Sequence, residues 1–484
     1  MMEDNDKSQS IFGNQIPAKV YRKAVKQKKR FANKFGYNPS STYPLYANPN
    51  PLLKKYFNLH TITQERGGEI SASKSIIIGT IRMGYGHYRI AMAVASAAHS
   101  MGLTPYWFDL LSFDTAGAAI IKHLEKLYSL GSRLSQQFSL FNKLYWERLT
   151  AIGFKRLTYN ACDQKMTELF ADIYARLPHT VPFIATHAWA SQAAVHAGMK
   201  RVVNMIPDNW PLALHLSEGA VHTVQTPSAY FGYRTLKNMG NVDEILQPIP
   251  KESIFYTGHY IDHELVANIE KDCAARLKRI KNKRPRRLLL SIGGAGAQQQ
   301  LCMEIIRRLA PLVKKEKLTL IINTGDHNKI FDMIMNDRDV AEMNATAHTR
   351  WSDTETFAKT LATGDAPGLH VVYHDDIFSA VYATNLLMRA SDCLITKPSE
   401  LAFYPIPKIF TARVGGHEMW GAIRGAEVGD STVECETAAH TLQAIDLIVN
   451  DNDLLSLYCE NIVKAKKIGI YNGAYEVITL AMKK

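Results

Sequence analysis

Two α/β domains with Rossmann-like, doubly wound parallel sheets are predicted for this chain, on three observations. The 484 residues exceed one domain of ordinary size. Short apolar runs alternate with stretches of helical period, in two successive series. In each series one apolar run passes into a glycine turn and then into a helix.

The first series opens at residues 76–98, IIIGTIRMGYGHYRIAMAVASAA. Ile76, Ile77 and Ile78 read as a buried strand, Gly84-Tyr85-Gly86-His87 as the turn, and Ile90, Val94, Ala97 and Met101 as one helix face. Glycines let backbone N–H groups approach a ligand, and a helix N-terminus favours negative charge. The spacing lacks the third glycine of a dinucleotide fingerprint. Further strands are expected at 104–108, 182–186, 201–206 and 221–225, with a long helical insertion over 113–177. The second series has strands at 287–292, 318–323, 369–373, 392–396 and 407–411. Its first strand runs into Gly293-Gly294-Ala295-Gly296, a turn suited to a diphosphate. The domains expected are a basic, partly irregular extension over 1–70, a first domain over 71–258, a second over 259–464, and a C-terminal helix over 465–484 that packs back on the first.

Composition narrows the class. Hydrophobic residues make up 46% and charged residues 21%, enough for a large core. No apolar run has the length of a membrane span, and no secretory signal is read. The six cysteines form no C-x-x-C pair, so neither a disulfide frame nor a zinc site is expected and a cytoplasmic setting follows. Asp-x-Asp occurs at 337–339 and 451–453 in polar surroundings and implies no metal site. The net charge of +12 is concentrated in residues 1–70, which hold twelve Lys/Arg against five Asp/Glu. Residues 19–34 carry eight bases and no acid, with Val20, Ala24, Phe31 and Phe35 on one helical face. Such a helix is either a membrane-surface or partner-binding element or a solvated arm. No nucleic-acid motif accompanies it.

Several loop residues carry chemistry. His87 places an ionisable group where turn meets helix. Asp208 in MIPDNW is a second candidate base. Lys397 and Ser399 follow a buried strand and, with Glu400 at a helix start, suit phosphate or ribose; Glu418 in RVGGHEMW suits sugar or ribose hydroxyls.

The ordered set GYGHYRIAMAV (84–94), HAW (187–189), MIPDNW (205–210), SIGGAGAQ (291–298), NTGDHNK (323–329), DCLITKPSE (392–400) and GGHEMW (415–420) resembles a group of GT-B glycosyltransferases. These are the monogalactosyldiacylglycerol synthases, processive diacylglycerol glucosyltransferases and MurG-like, lipid II-forming N-acetylglucosaminyltransferases. The resemblance spans about residues 75–435. It implies two domains facing a cleft and metal-independent, inverting transfer of a sugar from a nucleotide diphosphate, typically UDP, to an acceptor hydroxyl, often a lipid's. It carries no cofactor beyond the nucleotide-sugar co-substrate. His87 and Asp208 would be catalytic. Gly293, Gly294, Ala295, Gly296, Lys397, Ser399, Glu400 and Glu418 would line the donor, and Gly84, Gly86 and His187 the acceptor side. Residues 19–35 would meet an anionic membrane surface. Where the family shows G-G-[LS]-T this chain has Ser399-Glu400-Leu401-Ala402. Two other readings fit the same architecture: a sugar-nucleotide epimerase and a non-catalytic sugar-nucleotide or lipid-surface binding protein.

Overall fold

A computed structural model describes residues 6–137, 153–293 and 298–483. The chain forms two compact units. The first comprises the chain up to Met83, Ile90–Gly258 and Gly473–Lys484; the second comprises Gly84–Arg89 and His259–Asn472.

The first unit begins with a small hairpin, β1 (Ser10–Ile11) and β2 (Asn14–Gln15). Its main sheet has eight strands: β3 (Tyr46–Pro49), β4 (His60–Thr63), β5 (Ser75–Thr80), β6 (Thr104–Asp109), β7 (Phe183–Ala185), β8 (Val202–Met205), β9 (Val221–Val224) and β10 (Ile254–Tyr256). Their order is β10-β9-β8-β7-β5-β6-β4-β3, parallel throughout except for the edge pair β3–β4. The five strands expected from the apolar runs are all present. The Pro- and Asn-rich lead-in also supplies β3, which ends on Pro49 at the sheet edge, where a missing N–H is tolerated. β5 is buried along its whole length, as a central parallel strand must be.

The basic segment is the helix Ala18–Lys34, and it is a packed element. Ala24 and Phe31 are buried, and the helix lies against the helix Leu157–Thr167. Phe31 joins the core cluster that holds Tyr106, Phe170 and Ile173. Lys28 pairs with Glu168, and Lys34 Nζ lies 3.0 Å from His123 Nε2. The apolar stripe read as free for a membrane surface is therefore used inside the first unit. Of the expected insertion, the helices Ala116–Gln137 and Leu157–Thr167 are seen; Phe138, Phe141, Leu144 and Tyr145 of its apolar pattern lie outside the described residues. Among the described residues no helix is long and apolar enough to cross a membrane. The C-terminal helix Gly473–Met482 belongs to the first unit, with Ala474, Val477 and Ile478 fully buried and packed beside β7 and β8.

The second unit has seven parallel strands: β11 (Arg286–Ser291), β12 (Leu318–Asn323), β13 (Thr346–His348), β14 (Gly368–Val372), β15 (Cys393–Thr396), β16 (Lys408–Thr411) and β17 (Ser431–Cys435), ordered β13-β14-β12-β11-β15-β16-β17. Leu288, Leu290, Leu320, Ile322, Ile395 and Ile409 share its main core. The two strands not expected from the sequence, β13 and β17, are the edges, where fewer than half of the residues are buried and no continuous apolar run is needed. In both units the strand order reverses beside the first glycine-turn strand: between β5 and β7 in the first, between β11 and β15 in the second. Ligands of open α/β sheets bind outside the carboxyl ends of the strands at such a reversal.

Behind β14 the rings of His348, His370 and Phe357 stack, with 4.2 Å between the centroids of Phe357 and His370 and 3.1 Å between His348 Nε2 and His370 Nδ1. Burial, reinforced by the neighbouring His348, pushes His370 down to about 4. A histidine kept neutral in the fold but free to protonate when unfolded loses stabilising effect as pH falls from about 6.5. Asp163 and Asp262, pushed up to about 7 by burial, act in the opposite sense. The histidine contribution is therefore read as the difference between the parent and His370→Phe. Urea unfolding should show that difference moving by about 3 kcal/mol in favour of the variant between pH 7 and pH 4. A pH-independent difference would contradict the assignment.

Candidate functional site

The reversal in the second unit is where the sequence-predicted donor residues gather. β11 delivers Gly293, and β15 delivers Lys397. A Cβ on Gly293 would stand 2.8 Å from Lys397 Cε, so the glycine lets the lysine stem cross the turn. The Lys397 ammonium donates to Glu418 Oε1. Glu418 stands at the start of the helix Met419–Val428, and its Oε2 accepts from the amides of Val414 at 2.8 Å and Gly415 at 3.2 Å. Burial alone would push this carboxyl up. The Lys397 charge and the two amides outweigh burial and hold it below the usual range, so it is ionised at neutral pH. Leu290, Ser291, Gly293, Gln298, Lys397 and Thr411 line a depression of about 370 Å³, its open mouth included.

The glycine loop is also tied at its far end. Gln298, in the left-handed region at φ +68°, accepts from Thr411 Oγ1 at 2.8 Å and donates to the Ala412 carbonyl. Gly294, Ala295 and Gly296 lie outside the described residues. Ser399 donates its backbone N–H to the Lys397 carbonyl at 2.8 Å, which tightens the turn after β15. Glu400 is directed elsewhere: a Cβ on Gly86 would meet its Oε1 at 2.0 Å. Its carboxylate thus sits at the N-terminus of the helix Gly86–Ser100, the anion position that the sequence suggested for a ligand.

Gly421 fixes the spacing of this site. A Cβ there would come within 2.4 Å of the Pro398 carbonyl oxygen, a backbone atom that cannot swing away. Gly421→Ala should push the helix bearing Glu418 away from the turn bearing Lys397. We expect the second unit to lose about 1–3 kcal/mol of stability, the cost of overpacking. Urea unfolding of the variant checks this, and parental stability would show that the spacing does not matter.

The turn at 84–89 is held within the second unit by residues that the sequence did not single out. Tyr85 Oη donates to Asp326 Oδ1 and accepts from the Asp326 N–H at 2.9 Å. Gly325, at φ +61°, makes the approach possible, because a Cβ there would stand 2.2 Å from Tyr85 Oη. Arg89 is buried and donates to Asn385 Oδ1 at 3.1 Å and to Thr384 Oγ1 at 3.4 Å. Thr384 Oγ1 also accepts from Asn323 Nδ2 at 2.8 Å. Gly84, at φ +75°, has open space where a Cβ would be. His87 lies half-buried on the first turn of the helix between Tyr85 and Arg89. The i, i+4 spacing of Tyr85 and Arg89 was visible in GYGHYR, but spacing alone does not name a partner some 240 residues away.

The remaining predicted residues lie in the first unit. His187 caps the helix Ala188–His196: its Nδ1 accepts from the Trp189 N–H at 3.1 Å, and its ring packs on the Trp189 indole. Asp208 Oδ2 stands 3.0 Å from His215 Nε2 in the loop after β8. Among the described residues no group of three His, Cys, Asp or Glu has the arrangement of a metal site.

Residues 10–235 match the family model described as "Domain of unknown function (DUF6937)", and residues 249–482 the one described as "Domain of unknown function (DUF6938)". No curated protein matches the chain in sequence. Among solved structures, the chain is similar to UDP-GlcNAc 2-epimerase from Neisseria meningitidis bound to UDP-GlcNAc, with 11% identity over 85% of this chain and 100% of that one, at a TM-score of 0.40. It is similar to a UDP-forming trehalose-phosphate synthase from Burkholderia xenovorans, with 10% identity over 84% and 98% and a TM-score of 0.40. It is also similar to an O-GlcNAc transferase from Thermobaculum terrenum, with 11% identity over 95% and 71% and a TM-score of 0.31.

Proposed function

We infer that the protein holds a nucleotide-diphosphate sugar, with UDP-sugars the first candidates, in its second unit and transfers the sugar with inversion to an acceptor hydroxyl. One observation carries the reading: the Lys397–Glu418 pair laid over Gly293 at the strand-order reversal. A lysine beside a glycine turn is suited to the charge that develops on a leaving diphosphate, and a buried, ionised carboxylate is suited to ribose or sugar hydroxyls. In this reading the turn amides and Lys397 meet the diphosphate charge, so no metal is called for. His87 takes the proton from the acceptor hydroxyl, with Asp208 as the other candidate base. A lipid acceptor, as in the family resembled, is the first class to try.

The test has two stages. Calorimetry with UDP, ADP, GDP and UDP-sugars should show micromolar binding of one nucleotide family, and no binding at all would overturn the reading. Turnover is then followed with and without lipid and sugar acceptors. A transferase releases nucleotide quickly only with an acceptor. Altered sugar stereochemistry without an acceptor would identify an epimerase, and binding without either reaction a non-catalytic sensor.

A further inference from the structure

The second unit contains a pair of thiols that sugar chemistry does not use. Cys273 lies on the helix Ile269–Lys281 and Cys459 on the helix Asp453–Lys467; the two helices pack together. They are far apart in sequence, one near the start of this unit's main segment (His259–Asn472) and one near its end. The thiols face each other between the helices, 2% and 0% exposed. Beside them Arg276 is clamped by the carbonyls of Ser391 at 2.8 Å and Met388 at 3.1 Å, and its Nη1 points at Cys273 Sγ at 3.7 Å. The guanidinium is itself 4% exposed, so little water screens it from the sulfur.

We propose that Cys273 and Cys459 are a redox pair that closes to a disulfide on exposure to a peroxide, with Cys273 as the attacking thiolate and Cys459 as the resolving thiol. The Cys459 S–H bond and the Arg276 charge hold the Cys273 thiol down at about 7 against the effect of burial, while Cys459 is pushed up. The three other buried thiols contrast with it: burial pushes Cys302 and Cys393 up to about 12 and raises Cys435 as well. Attack by the Cys273 sulfur on one peroxide oxygen breaks the O–O bond; hydroxide leaves, takes a proton and departs as water, and Cys273 becomes a sulfenic acid. The Cys459 sulfur then displaces the hydroxyl, the S–S bond forms and a second water leaves. Two thiols are oxidised and one peroxide is reduced. Peroxide reaches the pair through local opening of the two helices. The bond would staple the first helices of the segment to its last, closing a long loop, the kind of crosslink that constrains the unfolded chain most.

The experiment uses the full-length protein and dilute hydrogen peroxide, followed by alkylation and peptide mapping. The expected product is a 273–459 crosslink lighter by two hydrogens, reversed by dithiothreitol, with a raised melting temperature. In Cys459→Ala the reaction should stop at a Cys273 sulfenic acid that dimedone traps. Arg276→Met should slow Cys273 oxidation roughly tenfold at neutral pH, the effect of about one unit in thiol acidity. Oxidation of Cys162, Cys302 or Cys393 while Cys273 and Cys459 stay alkylatable would overturn the proposal, as would the absence of a dimedone adduct at Cys273 in the Cys459→Ala protein.

Discussion

Lys397→Met should weaken binding of a nucleotide diphosphate roughly 50-fold, about 2.3 kcal/mol, the size expected for a lost charge-assisted hydrogen bond to phosphate. It should also destabilise the second unit, because Glu418 would be left buried and ionised, held by the amides of Val414 and Gly415 alone among the described residues. Breaking one side of a buried pair costs about 3 kcal/mol. The two effects separate in the double variant Lys397→Met/Glu418→Gln. There the leftover charge is gone, so urea unfolding should recover most of the lost stability while calorimetry still shows weak binding. If Lys397→Met binds nucleotide as the parent does, the pair is only structural and the donor site lies elsewhere.

His87→Ala should lower turnover by about 10² to 10⁴, the range for loss of a general base, and leave nucleotide affinity unchanged. The helix should survive, since the first turn keeps its ties through Tyr85 to Asp326 and through Arg89 to Asn385. Asp208→Asn is the paired control. Its carboxylate already meets His215, so a smaller loss is expected there. The reverse ranking, with His87→Ala active and Asp208→Asn dead, would move the base to Asp208.

Strand positions were legible because central parallel strands are buried on both faces and must be written as apolar runs: Ile76–Ile78 and Leu288–Leu290 admit few other readings. Edge strands carry no such constraint, and the edges β3, β10, β13 and β17 were not foreseen, nor was β4, which pairs with the edge strand β3. The clustering of Gly293, Lys397 and Glu418 followed from motif order, since each sits at the end of a strand or the start of a helix. What spacing could not supply was direction. Ser399 and Glu400 are neighbours of Lys397 in sequence, yet one tightens the turn through its backbone and the other is directed at Gly86. The basic helix shows the same gap. Its amphipathic pattern was plain, but a pattern says only that an apolar face will be covered, and the cover proved to be the helix Leu157–Thr167.

The placement of Gly473–Met482 has a consequence for how the protein is made. The ribosome finishes every strand of the first sheet before it begins the His259–Asn472 segment of the second unit, yet the surface beside β7 and β8 stays bare until Ala474, Val477 and Ile478 emerge after that segment. For the whole of that interval the nascent first unit exposes an unfilled apolar seat to the cell. A fragment ending at Gly258 would keep that seat open permanently, which makes it an unfinished assembly and a target for chaperones and proteases.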